Sequence, residues 1–361
     1  MNLSQKHSLI TMLRPFSREG NTSIVRRCYA TTSGPRTALF FPGAGSQKVG
    51  MSRPWRLAFP RIVNPFLEEV DETLKLPLSR IIDEGRHETL TETANAQPAI
   101  FATSIMILRI LEQEFGFRIT DRIQFTLGHS LGEYASLCAG GYLSFRDALL
   151  VVRKRSEVFA SAAKTAKQKY GDDVGMVALL CEVNHFDRLL NDIRGFLGPG
   201  SSDSENSTPD KGPKLQDVVI ANINSSNQVV LAGSLPQIKR LLARLNAFGG
   251  HDPRSVVLKE TSPFHHPYMQ PAADYTRRHL SREGVVTFPG LIPCISNVTA
   301  RPFRSVAYIP ATIASLITSQ VKRRTTGSRC AGKYRNRALV GLYQVSRSRT
   351  KSASMAWSRT W

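Results

Sequence analysis

The sequence predicts an α/β fold with a smaller domain inserted into a larger one. Two short apolar runs each end in a glycine turn and lead towards a helix. From about residue 174 the apolar pattern changes to a βαββαβ order. The chain has 361 residues, 41% of them hydrophobic, enough to bury a substantial core.

The elements follow in chain order. Thr37–Phe41 is an apolar run that stops at Pro42-Gly43-Ala44-Gly45, which reads as a first strand entering a turn. Ala94–Phe115 carries apolar residues at helical spacing and predicts a long buried helix. Gln124–Leu127 is a second strand, meeting a turn at Gly128. Ser144–Ala163 is a helix with Ser144 as its N-cap. Strands are expected at Val174–Cys181, Val218–Ile223, Gln228–Ala232 and Ser255–Leu258, with helices at His185–Phe196 and 235–247. That order predicts a small ferredoxin-like insert at about 171–260. Residues 198–213 (GPGSSDSENSTPDKGP) are polar and aperiodic, and are expected to form a mobile surface loop.

The net charge is +20, but its distribution argues against nucleic acid as the partner. Residues 1–36 contribute +5 and residues 305–361 contribute +11, leaving only +4 for the globular part. Residues 1–33 are acid-poor and rich in Arg, Ser and Thr, which reads as a mitochondrial transit peptide and predicts a matrix location. Five scattered cysteines with no C-x-x-C pair argue against a zinc site or a disulfide framework. No run of about 18 apolar residues is present, so no membrane-spanning helix is expected.

The chemistry centres on Gly128-His129-Ser130-Leu131-Gly132-Glu133. A G-x-S-x-G segment sets a serine on a sharp strand-to-helix turn with its Oγ exposed. The Leu131 N–H, at the start of the following helix, would face an oxyanion beside Ser130. The PGAG turn can supply a second N–H. It lacks the Lys-Ser/Thr of a nucleotide-phosphate loop. A serine hydroxyl needs a base, and Ser262-Pro263-Phe264-His265-His266-Pro267 offers two adjacent histidines, between which the residues alone do not choose. Arg155 has Val151, Val152, Val158 and Phe159 as its helical neighbours, so it projects from a buried face. A buried guanidinium needs an anion, either an internal Asp or Glu or a carboxylate on a substrate.

Together these segments resemble the malonyl-CoA:acyl-carrier-protein transacylase family, in its mitochondrial branch. The resemblance runs from about Thr37 to Val321 and rests on FPGAGSQ, NAQPA (95–99), GHSLGE, Arg155, NINSSNQVVLAGS (222–234), SPFHHPYMQPAA (262–273) and ISNVTA (295–300). It implies an α/β-hydrolase-like large subdomain, about 34–170 and 261–321, carrying the ferredoxin-like insert. It implies Ser130 as nucleophile and His265, rather than His266, as base. The oxyanion donors would be the amides of Leu131 and Ala44; the family usually has Gln at the position of Ala44, but only the backbone is needed. Arg155 would bind the substrate carboxylate. Gln97 and Asn224 would line the site, and Phe264 would crowd out an α-methyl group. The backbone carbonyl of Gln320 would orient His265.

The implied reaction is ping-pong transfer from malonyl-CoA to the phosphopantetheine thiol of acyl carrier protein through a malonyl-serine ester. It implies no metal or cofactor, no membrane and a monomeric enzyme. Two other classes stand beside it: a serine thioesterase, which would need an Asp or Glu behind the histidine, and an inactive relative. The second arises because the resemblance stops after Val321. Residues 322–361 contain no acid and lack the family's closing helix and strand. They read as a disordered basic tail from a shifted frame or a retained intron.

Overall fold

The computed structural model describes residues 37–170, 173–197, 217–258 and 262–318. The expected transit peptide, the 198–213 loop, Gln320 and the 322–361 tail lie outside the described residues.

The first strand, β1 (Ala38–Phe41), pairs in parallel with β2 (Phe125–Gly128). Between them come α1 (Arg53–Ala58), α2 (Pro60–Leu74), α3 (Leu78–Glu84), α4 (His87–Thr91), α5 (Thr93–Phe115) and α6 (Ile119–Arg122). The register matches Phe41 with Gly128, so the PGAG turn and the G-x-S-x-G turn leave the sheet side by side. A third segment joins the other side of β2 through a parallel bridge between Thr126 and Cys294. The Thr126 N–H donates to the Pro293 carbonyl (3.0 Å), and the Ile295 N–H donates to the Thr126 carbonyl (2.9 Å). Three chain segments therefore reach one carboxyl edge, where ligands bind in open parallel sheets.

Behind this edge stand α7 (Gly132–Ala139) and α8 (Phe145–Tyr170). Ser144 caps α8 as the sequence predicts: its Oγ accepts from the Asp147 N–H at 3.0 Å. Helix α5 is long and apolar enough to cross a membrane by length and composition alone. The protein core accounts for that apolarity, since Ala99, Ile100, Phe101, Ala102, Ile105, Met106 and Ile110 are buried.

The insert has the expected order: β3 (Val174–Leu180), α9 (Phe186–Leu197), β4 (Val218–Ser225), β5 (Gln228–Ser234), α10 (Leu235–Gly249) and β6 (Arg254–Val257). Its four strands form an antiparallel sheet in the order β4-β5-β3-β6. Period-two alternation gives the sheet two apolar faces. Val177, Leu179, Val229 and Leu231 pack with Leu189, Ile193, Ile238, Leu241 and Leu245 of α9 and α10. Met176, Ala178, Val230 and Ala232 instead join Phe159, Phe264 and Met269 with α11 (Gln270–Leu280) and α12 (Tyr308–Thr318). The second face ties the insert to the segment that carries the two histidines.

Candidate active site

Ser130 stands at the tip of the turn between β2 and α7 with φ +52°, a left-handed conformation that a non-glycine residue adopts only under constraint. The flanking glycines permit it. A Cβ on Gly128 would collide with the Gly132 carbonyl, and one on Gly132 would meet the carbonyls of Phe41 and Pro42. The elbow thus lies hard against the end of β1. The PGAG turn is held from within: Ser46 Oγ donates to the Gly43 carbonyl (3.0 Å), and the Gly45 N–H donates to Gln47 Oε1 (3.0 Å). The N–H groups of Ala44 and Leu131 have no hydrogen-bond partner among the described residues.

His265 also has positive φ, +61°, and its Nε2 lies 3.0 Å from Ser130 Oγ. Its Nδ1 lies 2.7 Å from the carbonyl of Leu316 on α12. A carbonyl only accepts, so Nδ1 carries the proton and Nε2 presents its lone pair to the Ser130 hydroxyl. The acceptor seen is Leu316; the expected Gln320 lies outside the described residues. Among the described residues the group seen behind Nδ1 is this backbone carbonyl, where the thioesterase reading needs an Asp or Glu. Burial is the main cause that drives the His265 pKa down to about 3, with the positive Arg155 a lesser one, so the imidazole is a neutral base at pH 7. His266 has a different job. Its Nδ1 accepts from the Tyr268 N–H at 3.1 Å, and its ring packs on Tyr268.

Arg155 is 3% exposed. Its guanidinium lies 4.2 Å from the centre of the Tyr134 ring and 5.1 Å from that of Phe159. Nη2 donates to Gln97 Oε1 at 2.5 Å. Ser156 Oγ donates to the same oxygen at 2.9 Å, which fixes the amide orientation. No Asp or Glu forms an ion pair with Arg155 among the described residues, whereas neighbouring Arg153 and Lys154 both pair with Glu157. Phe264 is buried edge-to-face against Phe159, with ring centres 5.2 Å apart, and so backs the wall on which Arg155 rests. Asn224 sits against His129 and donates through Nδ2 to Gln228 Oε1 at 2.9 Å. Asn222, one step back on the same face of β4, has Nδ2 3.1 Å from His129 Nε2.

Three participants escaped the sequence reading. Leu316 acts through its backbone, which leaves no side-chain signal. Tyr134 reads as an ordinary helix residue until Arg155 is seen above it. Asn297 lies within the ISNVTA segment, yet nothing in that segment announces a contact with a turn 167 positions earlier. Its Oδ1 accepts from the Ser130 N–H (2.8 Å), its Nδ2 donates to the Gly128 carbonyl (2.7 Å), and its own N–H donates to Glu133 Oε1 (3.0 Å).

Known proteins are similar to this chain in sequence and in fold. The pattern of the acyl transferase domain family matches residues 39–189. A malonyl CoA-acyl carrier protein transacylase of Bacillus subtilis (strain 168) is 33% identical over 287 residues, 80% of each chain. A solved acyl-carrier-protein S-malonyltransferase of Bartonella henselae superposes with TM-score 0.63 at 31% identity, covering 78% of this chain and 81% of its own. A malonyl-transacylase solved in complex with its type II polyketide synthase acyl-carrier protein gives TM-score 0.63 at 27% identity, covering 79% and 82%.

Proposed function

Since the chain belongs to the malonyl CoA-acyl carrier protein transacylase family, we propose that it moves a malonyl group from malonyl-CoA to the phosphopantetheine thiol of an acyl carrier protein by way of Ser130. The observation that carries the malonyl assignment is Arg155: a buried cation with no carboxylate partner among the described residues, close enough to His265 to act on its charge. A free carboxylate on the acyl group supplies the missing anion, in a two-pronged charge-assisted contact.

In the first half-reaction Ser130 Oγ attacks the thioester carbonyl while His265 Nε2 takes the hydroxyl proton. The oxyanion is received by the N–H groups of Leu131 and Ala44. The C–S bond breaks, the leaving thiolate takes the proton from Nε2, and a malonyl-serine ester remains. In the second half the carrier thiol gives its proton to Nε2 and attacks the ester. Ser130 Oγ then leaves with that proton. The Leu316 carbonyl holds the imidazole tautomer throughout and steadies the imidazolium formed in each half. Phe264 and Phe159 narrow the space beside the malonyl methylene. The enzyme acts as a monomer. Residues 1–33 support work in the mitochondrial matrix, which an import assay on the full chain checks.

The test is intact-mass analysis after brief exposure to malonyl-CoA. A malonyl adduct on Ser130, discharged faster by holo acyl carrier protein than by water, is the expected result. Discharge to water alone would make the chain a hydrolase.

A further inference from the structure

We propose that Asn297 is a positioning residue of the acyl transfer, setting the geometry of Ser130 from a separate chain segment. The inference rests on the reading of Ser130 as nucleophile.

The side chain of Asn297 brackets the strained residue on both sides, since it bonds the carbonyl of Gly128 before it and the amide of Ser130 itself. These two bonds span the positive-φ position, where the local backbone is least able to hold itself. They also occupy the Ser130 N–H, which leaves the Leu131 N–H as the elbow's open donor. Asn297 is itself anchored, because its own N–H donates to the buried Glu133 on α7 and its segment runs beside β2 through the Thr126–Cys294 bridge. Only a side chain with one acceptor and one donor serves both contacts, which is what an amide offers. A residue chosen for packing alone would need neither.

The experiment compares Asn297→Ala, Asn297→Asp and the control Thr299→Ala with the wild-type full chain. An alkyl fluorophosphonate reports Ser130 reactivity whatever the natural acyl donor, and malonyl-CoA loading is followed by intact mass. Each is measured from pH 5 to 8, with thermal unfolding alongside. Asn297→Ala is expected to slow both labelling and loading by about 10²-fold, with the half-saturating malonyl-CoA concentration unchanged. Thr299→Ala is expected to behave as wild type. A protonated carboxyl in place of the amide can donate to Gly128 and still accept from Ser130, whereas the ionised carboxylate cannot donate. Asn297→Asp should therefore recover towards wild type as pH falls. Taking the ratio to wild type at each pH divides out the titrations of His129, Glu133 and His265 that the two proteins share.

Wild-type labelling rates in Asn297→Ala overturn the proposal. So does a pH-independent defect in Asn297→Asp accompanied by a lowered melting temperature, which would mark a framework residue. A wild-type chain that labels but takes no malonyl group refutes the transferase reading, and the labelling arm still decides the role of Asn297.

Discussion

Replacing Arg155 by Met should raise or preserve the stability of the free protein while removing its preference for malonyl-CoA. The two effects have one origin. The guanidinium is almost wholly removed from water and stacked on Tyr134, yet the oxygen it bonds is that of the neutral Gln97 amide. A buried charge without an anion is a cost to the unliganded fold, and an apolar side chain of similar length relieves it. Replacing even a complete buried ion pair by apolar side chains is often neutral or stabilising by about 1–4 kcal/mol, and Arg155 has no carboxylate partner among the described residues. With substrate bound the balance reverses. Losing one partner of a buried, hydrogen-bonded charge pair costs about 2–5 kcal/mol, or roughly 30- to 5000-fold. Acetyl-CoA has no carboxylate and loses nothing by that route. The assay is single-turnover loading of Ser130 from malonyl-CoA and acetyl-CoA, read by intact mass, with thermal unfolding on the same samples. Malonyl loading should collapse, acetyl loading should persist, and the melting temperature should hold or rise. Equal losses with both donors together with a lowered melting temperature would show Arg155 to be a structural residue, and the carboxylate clamp would be refuted. Arg155→Lys should restore part of the preference, since a point charge replaces the planar fork.

Ser130→Ala should abolish covalent loading; His265→Ala should lower it by orders of magnitude and His266→Ala far less, because only His265 faces the hydroxyl. Comparable defects at the two histidines in a loading assay would reverse that choice. Since the pKa of His265 is held down to about 3, single-turnover loading should be level from pH 5 to 8, and a fall centred near pH 6.5 would mean an ordinary imidazole. Glu133 makes the opposite kind of pH prediction. Burial lifts its carboxyl from 4.5 to about 8. The folded state therefore keeps a proton that the unfolded state releases, and stability falls as pH rises from about 4.5 to about 8. Glu133→Gln reproduces the protonated form and still accepts from the Asn297 N–H. Its advantage over wild type in thermal melts should grow with pH and level off above about 8, and an advantage that shrinks with rising pH would contradict the burial argument.

The parts of the site that were legible in the sequence are those where local chemistry and local backbone coincide. Ser130 needs a turn that only flanking glycines allow, so its role is spelled out over five consecutive residues. Arg155 betrays itself by breaking an apolar helical face, and the structure confirms that it is buried. The insert was readable because its strands are short β-branched-rich apolar runs and its helices α9 and α10 keep a 3.6-residue period, with little competition between local preference and tertiary contact. The choice between His265 and His266 was not local. Both neighbours are buried, and what separates them is which ring meets the α12 carbonyl and which accepts from the Tyr268 amide. Sequence spacing carries no information about either contact.

Asn297 and Leu316 extend that point to the reaction itself. The parallel register of β1 and β2 brings the PGAG turn to the elbow, and the single bridge at Thr126 brings the 293–297 segment to its other side. A third segment, α12, delivers one carbonyl to His265. None of these three approaches requires a distinctive residue until the strand order is known. Ser130 and His265 both hold left-handed backbone conformations, and each is held by a group from a distant segment: Asn297 for the serine, Leu316 for the histidine. The strain is local and the restraint is tertiary. Loosening either restraint should therefore reduce transfer through geometry before it changes the chemistry of the reacting atoms.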